Sequence, residues 1–279
     1  KDHSQNLLIL IKIVVVGAGT MGSGITYASL LAGHDVAVVE QDQKFLDSGI
    51  RRIEDYIAKG LAKGIIPSAK AEEAKSRLKA THGFEEACRN ADLVVEAVFE
   101  DPKVKEKVFA RLDKAAPKEA ILASNTSSIS ITRLGSATRR PEKVVGLHFF
   151  NPVPTMKLVE LIRGERTSEQ TVAAASRFVE TLGKTVVRSA DRTGFIVNRA
   201  LMPFINESIK LLDEGVSSRD DIDKAFLLGA NHPMGPLQLA DFIGLDVVLS
   251  TLKVLQDDHG ACFRPAASLV KMVSQGKLG

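Results

Sequence analysis

The sequence predicts an α/β domain on a mainly parallel sheet, followed by an all-α C-terminal domain. Three observations carry this expectation. Valine- and isoleucine-rich strands alternate with helical segments early in the chain. A glycine-rich turn joins the first strand to the first helix, and strand character ends near residue 190. The boundary is placed near Ser189, dividing residues 1–189 from residues 190–279. A chain of 279 residues, 44% hydrophobic and 25% charged, can bury two cores. Its formal charge of +3 implies no nucleic-acid partner. No run reaches the roughly 18 apolar residues that a membrane span needs. Cys88 and Cys262 lie far apart without metal-type spacing. No metal is therefore expected, and the compartment is a reducing one: cytoplasm, or mitochondrial matrix if the source is eukaryotic.

Residues 1–6 are polar and read as frayed, while Leu7–Val16 reads as a buried strand rather than a signal-peptide core. The strand runs into "GAGTMG", where Gly17, Gly19 and Gly22 have G-x-G-x-x-G spacing, and then into an apolar helix through Ala32. In a Rossmann-type fold the first glycine makes the tight turn, the second lets a pyrophosphate approach the backbone, and the third lets helix pack on strand. Gly33 closes the helix, and "HDVAVVE" gives a second strand ending at Glu40, 18 residues after Gly22. An acid there suits the ribose hydroxyls and repels a 2′-phosphate, which favours NAD over NADP. A helix follows over Phe45–Leu61, with Phe45, Ile50, Ile53, Ile57 and Leu61 on its apolar face and Arg51, Arg52, Lys59 and nearby Lys63 on the other. Those charges read as a solvated face, with the grip on a substrate carrier's phosphates as the alternative. Further strands are expected at Ala91–Phe99 and Ala120–Ser124, around a helix after Pro102. Ligands bind beyond the carboxyl ends of such strands, where Glu100 and "NTSS" (Asn125–Ser128) fall. Taken alone, "NTSS" reads better as a polar turn with an N-cap for the next short helix.

"GLHFFNPVPTMKLVEL" reads as two strands around a turn. If the hairpin is centred near Pro154, His148 and Glu160 face each other across it, close enough to hydrogen-bond. One ring nitrogen would then be held by the carboxylate and the other would exchange a proton with substrate. The bland alternative is a satisfied core histidine beside a surface-facing glutamate. From Gly194 onward three helical segments follow, with Asp220 and Asp221 in the first turn of the second. Asn198 is read as lying one turn into the first, as a structural hydrogen bonder or a ligand. Apolar positions such as Phe204, Ile205, Phe226 and Leu227 exceed what one helical unit covers, which predicts a two-fold homodimer.

Together, "GAGTMGSGI", "ADLVVEAVFED", "SNTSSISI", "GLHFFNPVPTMKLVELI", "TGFIVNR" and "MGPLQLADFIGLD" resemble the NAD-dependent L-3-hydroxyacyl-CoA dehydrogenases, from about Ile11 to Gly279. The likeness is greatest to the bacterial type acting on 3-hydroxybutyryl-CoA. The resemblance implies a nucleotide domain followed by a helical substrate and dimerisation domain. It also implies His148 as general acid/base, Glu160 as its acidic partner, and Ser127 and Asn198 beside the substrate. On the cofactor side it implies Gly17, Ala18, Gly19, Thr20, Met21, Gly22, Glu40, Glu100, Lys105, Asn125, Ser127 and Asn151. Glu40 stands where the family commonly has aspartate. Members usually continue past "KLG" with a basic tail that approaches the cofactor. A sugar-acid dehydrogenase of the lambda-crystallin kind shares fold and base but differs after the histidine, and a non-catalytic protein on the same fold would need neither His148 nor Glu160. Fatty-acid degradation, butyrate formation and polyester metabolism all remain open as pathways.

Overall fold

The computed structural model describes residues 11–279, so the fraying expected for residues 1–6 and the strand expected from Leu7 to Leu10 lie outside the described residues. The chain divides into two compact units, up to Asp191 and from Arg192 onward.

The first unit begins with β1 (Lys12–Val16), α1 (Thr20–Leu31), β2 (Asp35–Val39), α2 (Gln43–Ala62), α3 (Ser68–Ser76) and β3 (Leu78–Thr81). It continues through α4 (Phe84–Cys88), β4 (Leu93–Glu96), α5 (Pro102–Ala115), β5 (Ile121–Ser124) and α6 (Ile131–Ser136). Last come β6 (Val144–Phe149), β7 (Leu158–Arg163), α7 (Glu169–Thr181) and β8 (Thr185–Ala190). The sheet order is β3-β2-β1-β4-β5-β6-β7-β8. Neighbours pair in parallel except β6 and β7, which are antiparallel. Central strands covered on both faces need continuous apolar runs rather than alternation, and β1, β4 and β6 have them. The order turns back on itself between β1 and β4, which opens a crevice at their carboxyl ends.

The glycines of the first turn behave as their spacing requires. Gly17 has φ +105°, and a Cβ there would lie 2.6 Å from the Ala97 carbonyl oxygen. A Cβ on Gly22 would lie 1.9 Å from the Gly17 oxygen, so helix and strand pack too closely for any side chain.

Several expected details change. β2 ends at Val39, leaving Glu40 just beyond it, and β4 is shorter than Ala91–Phe99. Phe45 is exposed, and Leu46, Gly49, Ile53, Ile57 and Gly60 are the residues α2 buries. Glycine carries no apolar signal, yet Gly49 is where α2 meets Ala18 most closely. β3, α3, α4 and α7 have no counterpart in the expectation. β3 ("LKAT") has no buried residue and so no hydrophobic period to read.

The second unit contains α8 (Val197–Asp213), α9 (Arg219–Gly229), α10 (Pro236–Ile243), α11 (Leu245–His259) and α12 (Ala267–Ser274). Gly244, at φ +102°, splits the expected third helix into α10 and α11. Ile205 is fully buried in this unit's core, and Phe204 meets Phe226 edge to face at 4.9 Å, so the unit uses these residues internally. Among the described residues no helix is long and apolar enough to cross a membrane.

Cys88 is buried in the first unit, and Cys262 is exposed. Burial, helped by Glu85 and partly offset by Arg111, pushes the Cys88 thiol up to about 12. Because the thiolate is the reactive form, a disulfide reagent should titrate one thiol at neutral pH in folded protein and two after denaturation. Rapid labelling of Cys88 in the native state would contradict this placement.

Candidate active site

The glycine loop stands at the crevice with its helix end open. Gly19 precedes α1 and offers no side-chain cap, and a Cβ built on Gly19 would meet nothing within 4 Å. Exposed Thr20 and half-buried Met21 begin α1, whose first N–H groups lack carbonyl partners within the helix. That is the cradle a pyrophosphate fills. Glu40 accepts from the Gln41 N–H at 2.8 Å and from the Ala18 N–H at 3.2 Å, which ties the end of β2 to the loop. Arg52 donates to the Ala18 carbonyl and to Ser23 Oγ, both at 3.2 Å. It was expected on a solvated face, but α2 turns it in behind the loop.

A buried ion pair organises the end of β4. Lys105, 1% exposed, lies 2.6 Å from Glu96, which is wholly buried. Glu96 also accepts from the Val98 N–H at 2.7 Å and from Ser124 Oγ at 2.6 Å. The same ammonium reaches Glu100 at 3.3 Å and the Val98 carbonyl at 3.3 Å. Glu100 in turn gathers "NTSS", accepting from Thr126 Oγ1 at 2.5 Å, the Ser127 N–H at 2.8 Å and the Ser128 N–H at 3.2 Å. Ser127 Oγ lies 3.2 Å from the same oxygen. Burial pushes the Glu100 carboxyl up, but Lys105 and the hydrogen bonds from Thr126 and Ser127 outweigh it, so Glu100 titrates below the ordinary carboxylate range.

His148 and Glu160 are direct cross-strand partners, as the hairpin centred near Pro154 requires. Both are buried, and His148 Nδ1 lies 2.7 Å from Glu160 Oε2. An ionised carboxylate only accepts, so Nδ1 carries the hydrogen in this bond. Glu160 is fully buried rather than surface-facing. The Phe150 ring lies 4.6 Å from the imidazole. Asn125 Oδ1 accepts from the Phe149 N–H at 2.9 Å, linking "NTSS" to the histidine strand.

Asn151 is exposed beyond β6. Lys184 pins the turn that follows, donating to the carbonyls of Val153 at 2.6 Å and Met156 at 2.7 Å. Asn198 is the second residue of α8, in its first turn rather than one turn in. The "TGFI" stretch before it forms turns in which Gly194 and Phe195 have positive φ.

The first unit thus brings together the glycine loop with Glu40, Glu100 with Lys105 and Ser127, and His148 with Glu160. Asn198 belongs to the second unit. Glu96 and Lys184 escaped the sequence reading, and Arg52 was read on a solvated face. Only Glu96 carried a signal, as a carboxylate inside the apolar strand "LVVE".

A mainly parallel sheet with a nucleotide cradle at its switch point, and a carboxylate-held histidine on a neighbouring strand, is the architecture of a nicotinamide-dependent dehydrogenase. Residues 12–192 match the model for the 3-hydroxyacyl-CoA dehydrogenase NAD binding domain, and residues 194–279 match that for its C-terminal domain. A 3-hydroxybutyryl-CoA dehydrogenase of Bradyrhizobium diazoefficiens is 47% identical over 272 residues, covering 97% of this chain and 92% of the relative. The mitochondrial hydroxyacyl-coenzyme A dehydrogenase of Rattus norvegicus is 42% identical, covering 97% and 89%. The crystal structure of (S)-3-hydroxybutyryl-CoA dehydrogenase from Ralstonia eutropha superposes with a TM-score of 0.92 at 39% identity, covering 97% of this chain and 95% of that one. This chain belongs to the 3-hydroxyacyl-CoA dehydrogenase family, and its cofactor is NAD.

The depressed Glu100 titration has a pH consequence. A carboxylate held below its unfolded value stabilises the fold above that value, about 4.3 for Glu, and the contribution is lost as pH falls through the lower folded value. The Ser127 and Ser128 amide resonances should therefore stay fixed from pH 7 down to the ordinary carboxylate range and move only below it. Movement centred at or above the ordinary glutamate value would overturn this.

Proposed function

We propose that the chain interconverts (S)-3-hydroxyacyl-CoA and 3-oxoacyl-CoA with NAD, taking 3-hydroxybutyryl-CoA as its representative substrate and His148 as general acid/base. The observation that carries the roles is the buried 2.7 Å bond between His148 and Glu160. A C3 hydroxyl does not ionise readily at neutral pH, and an imidazole is the side chain suited to take its proton there. With Nδ1–H held by Glu160, the proton is exchanged at Nε2. NAD, when bound, supplies the acceptor for the C3 hydride. As the C3 carbonyl forms, His148 takes up the hydroxyl proton, and Glu160 stabilises the resulting imidazolium. In the reverse direction His148 returns that proton to the oxygen. Ser127, fixed by Glu100, and Asn198 position the substrate oxygens. Gly17 to Gly22 and Glu40 hold the pyrophosphate and adenosine ribose; Glu100, Asn125 and Asn151 lie near the bound NAD, with Lys105 fixing Glu100 from behind.

The first domain binds NAD, and the second carries substrate contacts and the homodimer interface. The apolar residues this unit leaves exposed, Leu228 at 85% and also Phe242 and Val216, support the dimer in place of Phe204 and Ile205. A cytoplasmic or other reducing compartment fits the free thiols of Cys88 and Cys262.

His148→Gln should lower turnover of acetoacetyl-CoA with NADH by about 10²–10⁴-fold while NAD affinity, measured by calorimetry, is unchanged. Near-normal turnover in folded, NAD-binding protein would return His148 to a structural role. For the cofactor, wild type should strongly prefer NADH to NADPH. Glu40→Ala should weaken NAD binding at least about tenfold, as loss of charged hydrogen bonds does, and should narrow that preference. Equal use of both cofactors by wild type would remove this role from Glu40.

A further inference from the structure

Phe99 is an apolar side chain left bare beside the cofactor cradle. It is 83% exposed, although it stands three residues past β4 and immediately before Glu100. Its backbone is firmly fixed. Val98 donates its N–H to Glu96, the Val98 carbonyl accepts from Lys105, and the Phe99 carbonyl accepts from the Asp101 N–H at 2.8 Å. A large aromatic is thus held out into solvent by a rigid, buried ion-pair network. A single exposed apolar ring is ordinary on a protein surface; what marks Phe99 is its place beside the cradle on a fixed backbone.

Strand register shows which ligand fits. Val39 of β2 and Glu96 of β4 both pair with Val16 of β1. Adjacent strands lie about 4.8 Å apart, so Glu40 and Ala97, each one residue further on, flank Gly17 at the mouth of one crevice. Ala97 itself abuts the glycine loop. A dinucleotide with phosphates on the start of α1 and its adenosine ribose on Glu40 brings its base to this mouth, which the segment leaving β4 through Ala97 to Phe99 borders. A purine ring needs a flat apolar surface, and Phe99 supplies one.

We infer that Phe99 is the adenine-stacking residue of the cofactor site and contributes to NAD affinity through the base rather than through ribose or phosphate. The inference rests on the NAD-binding reading, and it concerns adenine from ADP-ribose rather than adenine from coenzyme A. Because the chain contains no tryptophan, Phe99→Trp places a single indole fluorophore at the site.

Calorimetry on full-length protein with ADP-ribose, nicotinamide mononucleotide and coenzyme A tests this. Phe99→Ala should weaken ADP-ribose at least about 5-fold, in line with stacking of a base on an aromatic side chain. Nicotinamide mononucleotide and coenzyme A should be unaffected, and Phe99→Tyr should restore ADP-ribose binding. In Phe99→Trp, ADP-ribose should quench the indole and nicotinamide mononucleotide should not. Unchanged ADP-ribose affinity in Phe99→Ala, or a loss confined to coenzyme A or shared equally by all three probes, would overturn the assignment. Failure of wild type to bind ADP-ribose would instead overturn the NAD reading on which it rests.

Discussion

The ammonium of Lys105, enclosed between two carboxylates, is the interaction on which the cofactor side of the crevice depends. Removing a charge from water costs several kcal/mol unless its partners are close and hydrogen-bonded. Here Glu96 is satisfied by Lys105, Ser124 and the Val98 N–H. Deleting one partner of such a pair costs about 3–5 kcal/mol, because the other charge remains buried. The network joins the ends of β4 and β5. It fixes Val98 after β4, Ser124 at the end of β5 and, through Glu100, the "NTSS" loop. Asn125 carries the link onward to Phe149 and so to the strand that holds the histidine. Positions separated widely in sequence are thereby held in one frame before any ligand arrives.

That frame separates functions that look similar on paper. The sequence resemblance implies both Lys105 and Glu100 on the cofactor side, yet of the two only Glu100 is partly open to solvent. Ser127 is placed by two contacts to Glu100, so its hydroxyl depends on a carboxylate 27 residues earlier. The histidine side has its own support, since Lys184 holds the turn between β6 and β7 by two backbone carbonyls. Burial pushes that ammonium's proton affinity down, and nothing but those carbonyls offsets the cost in the bonds described.

Much of this was legible in the sequence for physical reasons that are local. The glycine spacing, the acid after β2 and the hairpin each involve residues joined by no more than one helix or one turn of chain. The arithmetic that pairs His148 with Glu160 works because the connection from Phe149 to Leu158 keeps the pairing symmetric about Pro154. The illegible parts depend on distant partners. Nothing near Arg52 in sequence indicates that it turns towards Ala18, and nothing near Lys184 indicates the turn it holds. Phe45 misled because helix periodicity counts side chains, while α2 makes its closest approach through Gly49. β3 was invisible because an edge strand with no buried residue shows no apolar rhythm.

β7 runs against its neighbour β6 in a sheet whose other pairings are parallel. The consequence is a built-in proofreading of the threading. A slip of one residue between these two strands would carry the moved strand's side chains to the opposite face of the sheet. If β7 slipped, His148 and Glu160 would be parted by the thickness of a strand, and Leu161, now buried, would trade faces with the Glu160 carboxylate. A misthreaded chain would therefore lose its apolar packing and the buried His148–Glu160 contact together, so one alignment carries both.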